Sequence, residues 1–346
     1  MYTNSARFLA VVALFSSLTA CAEGWSGVDS TQVKQAEIKR PELKAYATAV
    51  GTIKAVSADE GGNVALIGMS GDDLFIDRIN SHGNSMLSWP QKIVFENRTS
   101  VNPITIKNNG SYIATMHKQL PANSFHVNVF LGSNATSTMP QLNFVSPTEV
   151  GDIAIDQDSL FLSMLDTAEP GTSILYRSGL YGSSPIQVKV PLEIKFLETG
   201  TDGLYLCSSN TVGKIDKKFS GNLLWNQVWS GTGPATITST AFSDVALYAA
   251  GIENEHPRLA SYSTTGKLNW AMTFQIMKTD QPVFVAVDSG GTPYLAFNGN
   301  MYKMNRDNGM ITDSFVIPNT KFTIHGRTAV FFQKDKLSEL DLTLLN

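Results

Sequence analysis

Three aspartates that cluster around one predicted turn are the side chains of this sequence best suited to binding an ion. Asp152, Asp156 and Asp158 follow one another closely beside short apolar runs. Carboxylates at alternate positions of a loop can bind a hard cation such as Ca²⁺. The twelve-residue calcium-loop pattern is absent, and an aspartate in a β-turn also accepts hydrogen bonds from its own backbone. We therefore expect a turn here, with a metal site as the alternative, and no cofactor.

Other motifs of catalysis or metal binding are missing. The five histidines, at positions 82, 117, 126, 256 and 325, form no His-Glu-x-x-His pattern and no cysteine-containing ligand set. No Gly-x-Ser-x-Gly elbow occurs, and Gly290-Gly291 follows a turn and opens no helix. The sequence therefore indicates no catalytic residue, although a site assembled from distant segments stays open.

Aromatic side chains in loops offer a different chemistry, the binding of glycans. Trp25, Tyr181 and Trp229 are the candidates. Tyr181 lies in a Gly/Ser loop, residues 177–183, that departs from the repeat described below, and such departures are places where function is often found. Drift of a loop sequence explains the same pattern without any ligand.

The N-terminus predicts export. Arg7 precedes a short apolar run, residues 8–15, which is typical of a secretory signal and too short to span a membrane. The segment Leu18-Thr19-Ala20-Cys21 then resembles the lipobox of bacterial lipoproteins. The resemblance implies cleavage before Cys21 and attachment of lipid to it. Because Ala22, and not aspartate, follows, it also implies an outer-membrane destination.

Composition narrows the function classes. The chain has 26 Lys and Arg against 30 Asp and Glu, for a formal net charge of −4, and no basic stripe. Nucleic acid is therefore an unsuitable partner. If Cys21 carries lipid, Cys207 has no disulfide partner in the chain. We expect it to be a buried strand residue, so that stability comes from a packed core.

A repeated phrase of turn and strand organises the chain from about residue 45 onward. Short runs rich in Val, Ile, Phe and Tyr alternate with Gly, Asn, Asp and Ser, as in strands joined by turns. Gly221, Gly266 and Gly309 mark equivalent turns that are 45 and 43 residues apart, and degenerate copies fall at Gly132 and Gly179. A period of about 45 residues containing four short strands is the signature of a β-propeller blade.

Counting the units predicts an all-β propeller, most simply with seven blades of four antiparallel strands, although six or eight stay open. Six units cover roughly residues 50–316, and the remaining segment holds about three strands. A strand from residues 33–48 would complete the last blade and close the ring. We expect the recurring Trp89, Trp225 and Trp270 to pack between blades.

The repeat resembles the bacterial β-propeller repeat family and, more distantly, the quinoprotein-like propellers of cell-envelope proteins. Such families share a scaffold and not one activity. The resulting organisation is a signal peptide over 1–20, a lipid-anchored tether and closing strand over 21–45, and a propeller domain over 46–346.

Three functions fit this organisation. The first is a lipid-anchored scaffold of the cell envelope that binds envelope proteins at its rim and touches the membrane only through the lipid. The second is a carbohydrate-active or other enzyme in the propeller channel, and the third is a glycan- or matrix-binding lipoprotein. Three or more convergent carboxylates or histidines at a channel mouth would favour the enzyme. A channel filled with apolar and small side chains would favour the scaffold.

Overall fold

Alternating apolar and polar residues give strands throughout the chain. The structure is a computed structural model that describes residues 43–47, 51–59, 62–80, 84–86, 88–93, 100–120, 124–135, 142–145, 149–180, 185–216, 218–229, 233–275, 277–318, 320–325, 327–333 and 336–345. Within these ranges the chain forms 28 β-strands and one short 3₁₀ helix. None of its helices there has the length and apolar character needed to cross a membrane.

The strands form seven four-stranded antiparallel sheets, which are the blades of a propeller. In blades I to VI the four strands follow one another in the chain from the innermost to the outermost. Blade I contains β2 (Thr52–Ala58), β3 (Val64–Ser70), β4 (Asp73–Ile79) and β5 (Gln91–Ile93). Blade II contains β6 (Ser100–Asn108), β7 (Tyr112–Leu120), β8 (Ser124–Leu131) and β9 (Leu142–Val145). Blade III contains β10 (Val150–Ile155), β11 (Ser159–Leu165), β12 (Ser173–Gly179) and β13 (Ile186–Val190).

The second half of the ring continues the pattern. Blade IV contains β14 (Phe196–Gly200), β15 (Gly203–Cys207), β16 (Thr211–Ile215) and β17 (Leu223–Val228). Blade V contains β18 (Ala235–Ser243), β19 (Ala246–Glu253), β20 (His256–Ser263) and β21 (Leu268–Thr273). Blade VI contains β22 (Phe284–Val287), β23 (Pro293–Phe297), β24 (Asn300–Met304) and β25 (Ile311–Val316). Blade VII contains β26 (Phe322–His325), β27 (Thr328–Gln333), β28 (Lys336–Asp341) and β1 (Lys44–Ala47), and the 3₁₀ helix η1 (Leu342–Leu345) follows β28.

Blade VII joins the two ends of the chain. Its outermost strand is β1, which pairs antiparallel with β28, so that Lys44 lies opposite Glu339 and Ala47 opposite Lys336. This confirms the prediction that a strand from residues 33–48 completes a seventh blade. The two chain ends are thereby held in one sheet, which closes the ring.

The predicted tryptophan contacts between blades are confirmed. The indole N–H of Trp225 in blade IV donates to the carbonyl of Thr264 in blade V at 3.0 Å. In the same way, Trp270 of blade V donates to Arg306 of blade VI at 2.7 Å. Each indole lies against a turn glycine of the next blade, where an added Cβ atom would overlap the ring. The repeated glycine and tryptophan residues therefore form the packing contact between neighbouring blades, which we call the seam.

Hydroxyl groups of the innermost strands also join neighbouring blades. Thr238 donates to the carbonyl of Val283 at 2.6 Å, and Thr199 donates to the carbonyl of Ile155 at 3.2 Å. The bonded residues are one repeat apart in sequence. These bonds fix the innermost strands relative to one another, and those strands line the centre of the ring.

The strand order gives the ring two distinct faces. We call the face on which the innermost strands begin the front face, and the face on which they end the back face. Because successive strands are antiparallel, the outermost strand of a blade runs from the back face to the front face. Leu43, which precedes β1, therefore lies at the back face, close to η1.

The second cysteine lies inside blade IV. Cys207 ends β15 and is 1 % exposed, with a free thiol. Burial raises its pKa well above the ordinary thiol value. The prediction that Cys207 is a buried strand residue is confirmed, and a thiol held neutral in this way is a poor nucleophile.

Candidate functional site

The innermost strands enclose a central channel with a cavity of about 560 Å³. Its wall mixes hydroxyl groups with half-buried phenyl rings, contributed among others by Ser57, Thr105, Ser239, Phe196, Phe242 and Phe284. The volume falls in the range of pockets that hold small ligands. The channel is therefore the first place in this fold to look for a binding site.

One wall of the channel carries three charged side chains from three consecutive blades. The ammonium group of Lys107 on β6 lies 3.4 Å from a carboxylate oxygen of Asp152 on β10 and 3.9 Å from one of Glu198 on β14. The hydroxyl of Thr240 on β18 donates to the same Glu198 oxygen at 3.0 Å. We call Lys107, Asp152 and Glu198 the channel triad.

Burial and mutual charge set the protonation of the channel triad. Burial alone would lower the pKa of Lys107, but the two carboxylates outweigh it and raise that pKa above its usual value. Burial, together with the Asp152 carboxylate, raises the pKa of Glu198 against the opposing attraction of Lys107. Lys107 is therefore a cation near neutral pH, and the Glu198 carboxyl takes up a proton at a higher pH than an ordinary glutamate does.

The channel triad also supports the fold. Asp152 accepts the backbone N–H of Leu197 in the next blade at 3.1 Å, and Lys107 donates to the carbonyl of the same residue at 3.4 Å. The side chains remain between 12 % and 25 % exposed, so one side of the group faces the cavity. This arrangement can orient a polar ligand through charge and hydrogen bonds.

The channel meets neither of the two extremes expected from the sequence. Two carboxylates and one lysine converge, and not three carboxylates or histidines. The channel is also not filled with apolar side chains, because its cavity persists beside polar groups. Lys107 and Glu198 escaped sequence reasoning because they come from different blades. The only signal was a charged residue directly after an apolar residue in a predicted innermost strand.

The three aspartates singled out from the sequence have different roles. Asp152 belongs to the channel triad, whereas Asp156 accepts the backbone N–H groups of Asp158 and Ser159 at 3.1 and 2.9 Å in the turn after β10. Asp158 is exposed and accepts the Ser159 hydroxyl at 2.6 Å. Among the described residues, no three acidic, histidine or cysteine side chains converge as metal ligands.

The proposed glycan platform at Trp229 is wrong. Its side chain is 1 % exposed, and its indole N–H donates to the carbonyl of Ala249 in blade V at 3.0 Å. The guanidinium of Arg258 lies over the ring, 5.4 Å from its centre. Trp229 is buried because it directly follows β17 and packs among buried side chains of blade V. Cys21, Trp25, Tyr181 and His82 lie outside the described residues.

The outer strand of blade IV is a second candidate surface. On β17, Leu224 is 55 % exposed and Val228 is 67 % exposed. Asn226 lies between them in the sequence of the strand and is also exposed. We call Leu223–Val228 the blade IV edge. It contains no charged residue, as is also true of the outermost strands β9 and β21, whereas β5, β13 and β25 carry Lys92, Lys189 and Asp313.

Comparison with solved structures supports the fold. The chain is similar to Sqt1 of Saccharomyces cerevisiae, with 11 % identity and a TM-score of 0.54, over 88 % of this chain and 99 % of that one. It is similar to the WD40 domain of coronin from Toxoplasma gondii, with 12 % identity and a TM-score of 0.56, over 88 % and 87 %. A bacterial example is the uncharacterized protein lmo1340 of Listeria monocytogenes, with 10 % identity and a TM-score of 0.50, over 85 % and 92 %.

Comparison of the sequence identifies no family. No protein-family model matches it, and no curated protein matches it significantly. At such low identities the structural likeness establishes the fold and leaves the activity open. The chain is a seven-bladed, all-β propeller of the kind seen in WD40 domains.

Proposed function

We propose that this protein is a lipid-anchored scaffold of the bacterial cell envelope, and that it binds an extended segment of a partner protein at the blade IV edge. The observation that carries the proposal is the exposure of Leu224 and Val228 on an uncharged outer strand. An exposed strand edge presents unpaired N–H and C=O groups, and proteins usually protect such edges with charges or proline. The blade IV edge has neither a charge nor a proline, and its one irregularity is a β-bulge at Leu224 in the pairing with β16.

The partner that suits this edge is an extended, uncharged segment that adds to blade IV as a fifth strand. Strand addition supplies affinity through the main chain, and alternate side chains supply selectivity. Asn226 and Val228 would provide the alternating contacts, because residues two apart share one side of a regular strand, and the exposed Leu224 would add an apolar contact at the bulge that precedes them. The fold already uses the same interaction, since β1 joins blade VII as an outermost strand formed from a distant segment.

The anchor part of the proposal depends on the N-terminal sequence. Leu18-Thr19-Ala20-Cys21 resembles a lipobox, and Ala22 favours the outer membrane by the same resemblance. Residues 22–42 would connect the lipid to Leu43 at the back face of the ring. The blade IV edge lies across the ring from blade VII, so a tether attached there leaves the edge accessible.

Site-specific photocrosslinking in intact cells tests the scaffold. A photoreactive amino acid at Asn226 of the full chain is expected to give a discrete, partner-containing adduct. The matched control places the same amino acid at Val316, which is 39 % exposed on the charged outer strand β25. The Leu224→Lys/Val228→Lys variant, which installs edge-protecting charges, is expected to abolish the Asn226 adduct. Equal adducts at the two positions, or none, would refute binding at this edge.

Mass spectrometry of the mature protein tests the anchor separately. We expect an acylated N-terminus at Cys21, and we expect the Cys21→Ser variant to leave the membrane fraction. An unmodified N-terminus, or unchanged membrane association of Cys21→Ser, would exclude lipid anchoring. The crosslinking result does not depend on this outcome.

A second candidate function is binding or conversion of a small polar ligand in the channel, which includes the carbohydrate-active alternative. The channel triad favours it because three charged groups border a cavity of about 560 Å³. Glu198→Gln keeps the shape of the side chain and removes its charge. It is expected to abolish any channel-dependent binding or turnover while partner crosslinking at Asn226 persists.

A further inference from the structure

A cleft on the front face lies where blades VI, VII and I meet. It has a volume of about 300 Å³, and its lining includes Lys54, Gln281, Phe284, Thr320, Lys321 and Phe332. Phe284, Lys321 and Phe332 also line the channel, so the cleft opens onto the channel mouth. We call this feature the front cleft.

The front cleft concentrates positive charge in a chain of net charge −4. Lys54 lies in the first half of β2, and Lys321 immediately precedes β26. Because the innermost strands begin at the front face, both lysines lie at that face. Neither forms an ion pair within the described ranges of the chain. By contrast, Lys195, which also lies at this face, is 3.7 Å from Glu193. The two positive charges that are unpaired within the described residues therefore lie on the side of the channel mouth that blades VII and I form.

The neutral groups of the front cleft do not neutralise this charge. The Thr320 hydroxyl donates to the carbonyl of Phe332 at 2.5 Å, and the Gln281 amide donates to Asp280 at 3.2 Å. The Thr320 hydroxyl is thus already used inside the protein, and the Gln281 amide carries no charge, which leaves the two ammonium groups as the charged donors for a ligand. Two cations at one concave site raise the local concentration of anions, because the walls focus the field.

Aromatic side chains supply the apolar part of the front cleft. Phe332 is 8 % exposed, and Phe284 is half-buried beside it. A ligand that places an apolar group over these rings brings an attached anion within reach of the lysines. An inorganic anion would contact only the lysines, whereas an organic acid would contact both the lysines and the phenyl rings.

We infer that the front cleft binds organic carboxylates, with the carboxylate held by Lys54 and Lys321 and the apolar body against Phe284 and Phe332. The same chemistry is offered by a small free acid and by the C-terminus of a peptide that ends in an apolar residue. The front cleft is formed by other blades than the blade IV edge, so this inference is independent of the scaffold proposal.

Ligand-observed and protein-observed NMR titration of the mature chain tests the inference, with benzoate as the probe. Saturable binding of benzoate is expected, and its cationic counterpart benzylamine is not expected to bind. The Lys54→Gln/Lys321→Gln variant should weaken benzoate binding by roughly tenfold or more, because it removes both charged donors. Lys195→Gln is the matched control and should leave the affinity within about twofold, since Lys195 is already paired. Added salt should weaken the wild-type interaction.

A pair of peptides separates the two sources of carboxylate. An acetylated tripeptide ending in phenylalanine is titrated as the free acid and as the C-terminal amide. Tighter binding of the peptide acid than of benzoate, with loss in the amide, assigns the front cleft to chain termini. Tighter binding of benzoate assigns it to small acids. The inference is overturned if neither acid saturates, if benzylamine binds equally, or if the double variant, shown to be folded by its thermal transition, binds as well as the wild type.

Discussion

Two groups of buried charges, one inside blade V and the other in the channel wall, differ in how completely the protein surrounds them. Inside blade V, Arg258 donates to Glu253 at 2.9 Å, and the two side chains are 2 % and 4 % exposed. Thr273 donates to the same carboxylate at 3.1 Å, and Arg258 also donates to the carbonyl of Trp229 at 3.2 Å. This pair is enclosed by short hydrogen bonds on several sides.

The channel triad also places a cation beside carboxylates, but it has one lysine against two carboxylates and a looser arrangement. The Lys107 ammonium group lies 3.4 Å from Asp152 and 3.9 Å from Glu198, and all three side chains are at least 12 % exposed. Its charges are incompletely neutralised by one another and border a cavity. The difference indicates that the enclosed pair is structural, whereas the channel triad retains capacity to interact with a ligand.

Removing the cation of the enclosed pair is expected to have the largest effect. Arg258→Met leaves the Glu253 carboxylate buried without its counter-ion, which should cost about 3–5 kcal/mol of unfolding free energy. Urea denaturation measures the loss. The double variant Arg258→Met/Glu253→Gln should recover a substantial part of it, since no unpaired charge then remains.

The matched control for this variant is an exposed ion pair. Lys92 lies 2.6 Å from Asp73 with both side chains nearly half exposed, so Lys92→Met should change stability by less than about 1 kcal/mol. If Arg258→Met were as mild as Lys92→Met, water would reach the blade V pair, and the contrast with the channel would disappear.

The seam between blades V and VI should be the next most sensitive place. At Gly309, φ is +70°, and an added Cβ atom would overlap the Trp270 ring. Gly309→Ala should therefore cost about 2–4 kcal/mol, from backbone strain together with overpacking. Thermal or urea unfolding provides the measurement.

Gly71 separates the two contributions. It has φ of +63°, and nothing lies within 4 Å of an added Cβ atom, so Gly71→Ala should show only the backbone cost of about 1 kcal/mol. Equal losses at Gly71 and Gly309 would mean that Trp270 moves aside, and that the seam is less tightly packed than the enclosed interior.

The seams were predictable from the sequence, whereas the channel was not. The sequence pattern around Gly266 and Trp270 recurs because each copy packs into the same gap between adjacent blades. This recurrence reveals the repeat length of about 45 residues. Of the degenerate copies, Gly132 lies between the third and fourth strands of blade II, and Gly179 is the last residue of the third strand of blade III. The closing strand β1 was predictable from the number of strands in each repeat, because the last repeat contains only three of the four strands that a blade needs.

Residues that meet in the centre of a ring share no local pattern. Lys107 and Leu197 are two blades apart in sequence, and only the closed ring brings them to 3.4 Å. Trp229, which the sequence analysis offers as an exposed aromatic, is buried. Its contact with Arg258 depends on the next blade, which a reading of the local sequence does not include.

A buried histidine in blade II extends the comparison to pH. His117 is fully buried on β7 and stacks on His126, with ring centres 5.2 Å apart. Burial, with a smaller effect of the His126 charge, lowers the pKa of His117 to about 3. Below about pH 6.5 the unfolded chain therefore binds a proton at His117, whereas the folded chain binds this proton only below about pH 3. Stability should fall by about 2 kcal/mol between pH 7 and pH 5 from this group.

The His117→Phe variant isolates this contribution. Phenylalanine keeps a ring beside His126 and removes the titration, so the slope of unfolding free energy against pH should flatten between pH 7 and pH 5. Buffered urea titrations at several pH values give the slope. Identical slopes in the variant and the wild type would show that protons and water enter blade II readily.

The smallest effect is expected at the channel triad. Lys107→Met leaves Asp152 and Glu198 without their shared cation, but the cavity beside them lets water solvate the carboxylates. The loss of unfolding free energy should be about 1 kcal/mol at neutral pH, well below that of Arg258→Met. Urea midpoints at pH 5 and pH 8 measure it.

The dependence of this loss on pH is what distinguishes the channel from the enclosed pair. Lys107 opposes the rise in the Glu198 pKa, so its removal should raise that pKa further. A folded-state carboxyl pKa above the unfolded value means that the folded state gains stability as the pH falls, because it then binds the proton more tightly. The deficit of Lys107→Met should therefore be smaller at pH 5 than at pH 8. A loss as large as that of Arg258→Met and equal at both pH values would mean that the channel triad is sealed like the blade V pair, and the case for a ligand in the channel would fail with it.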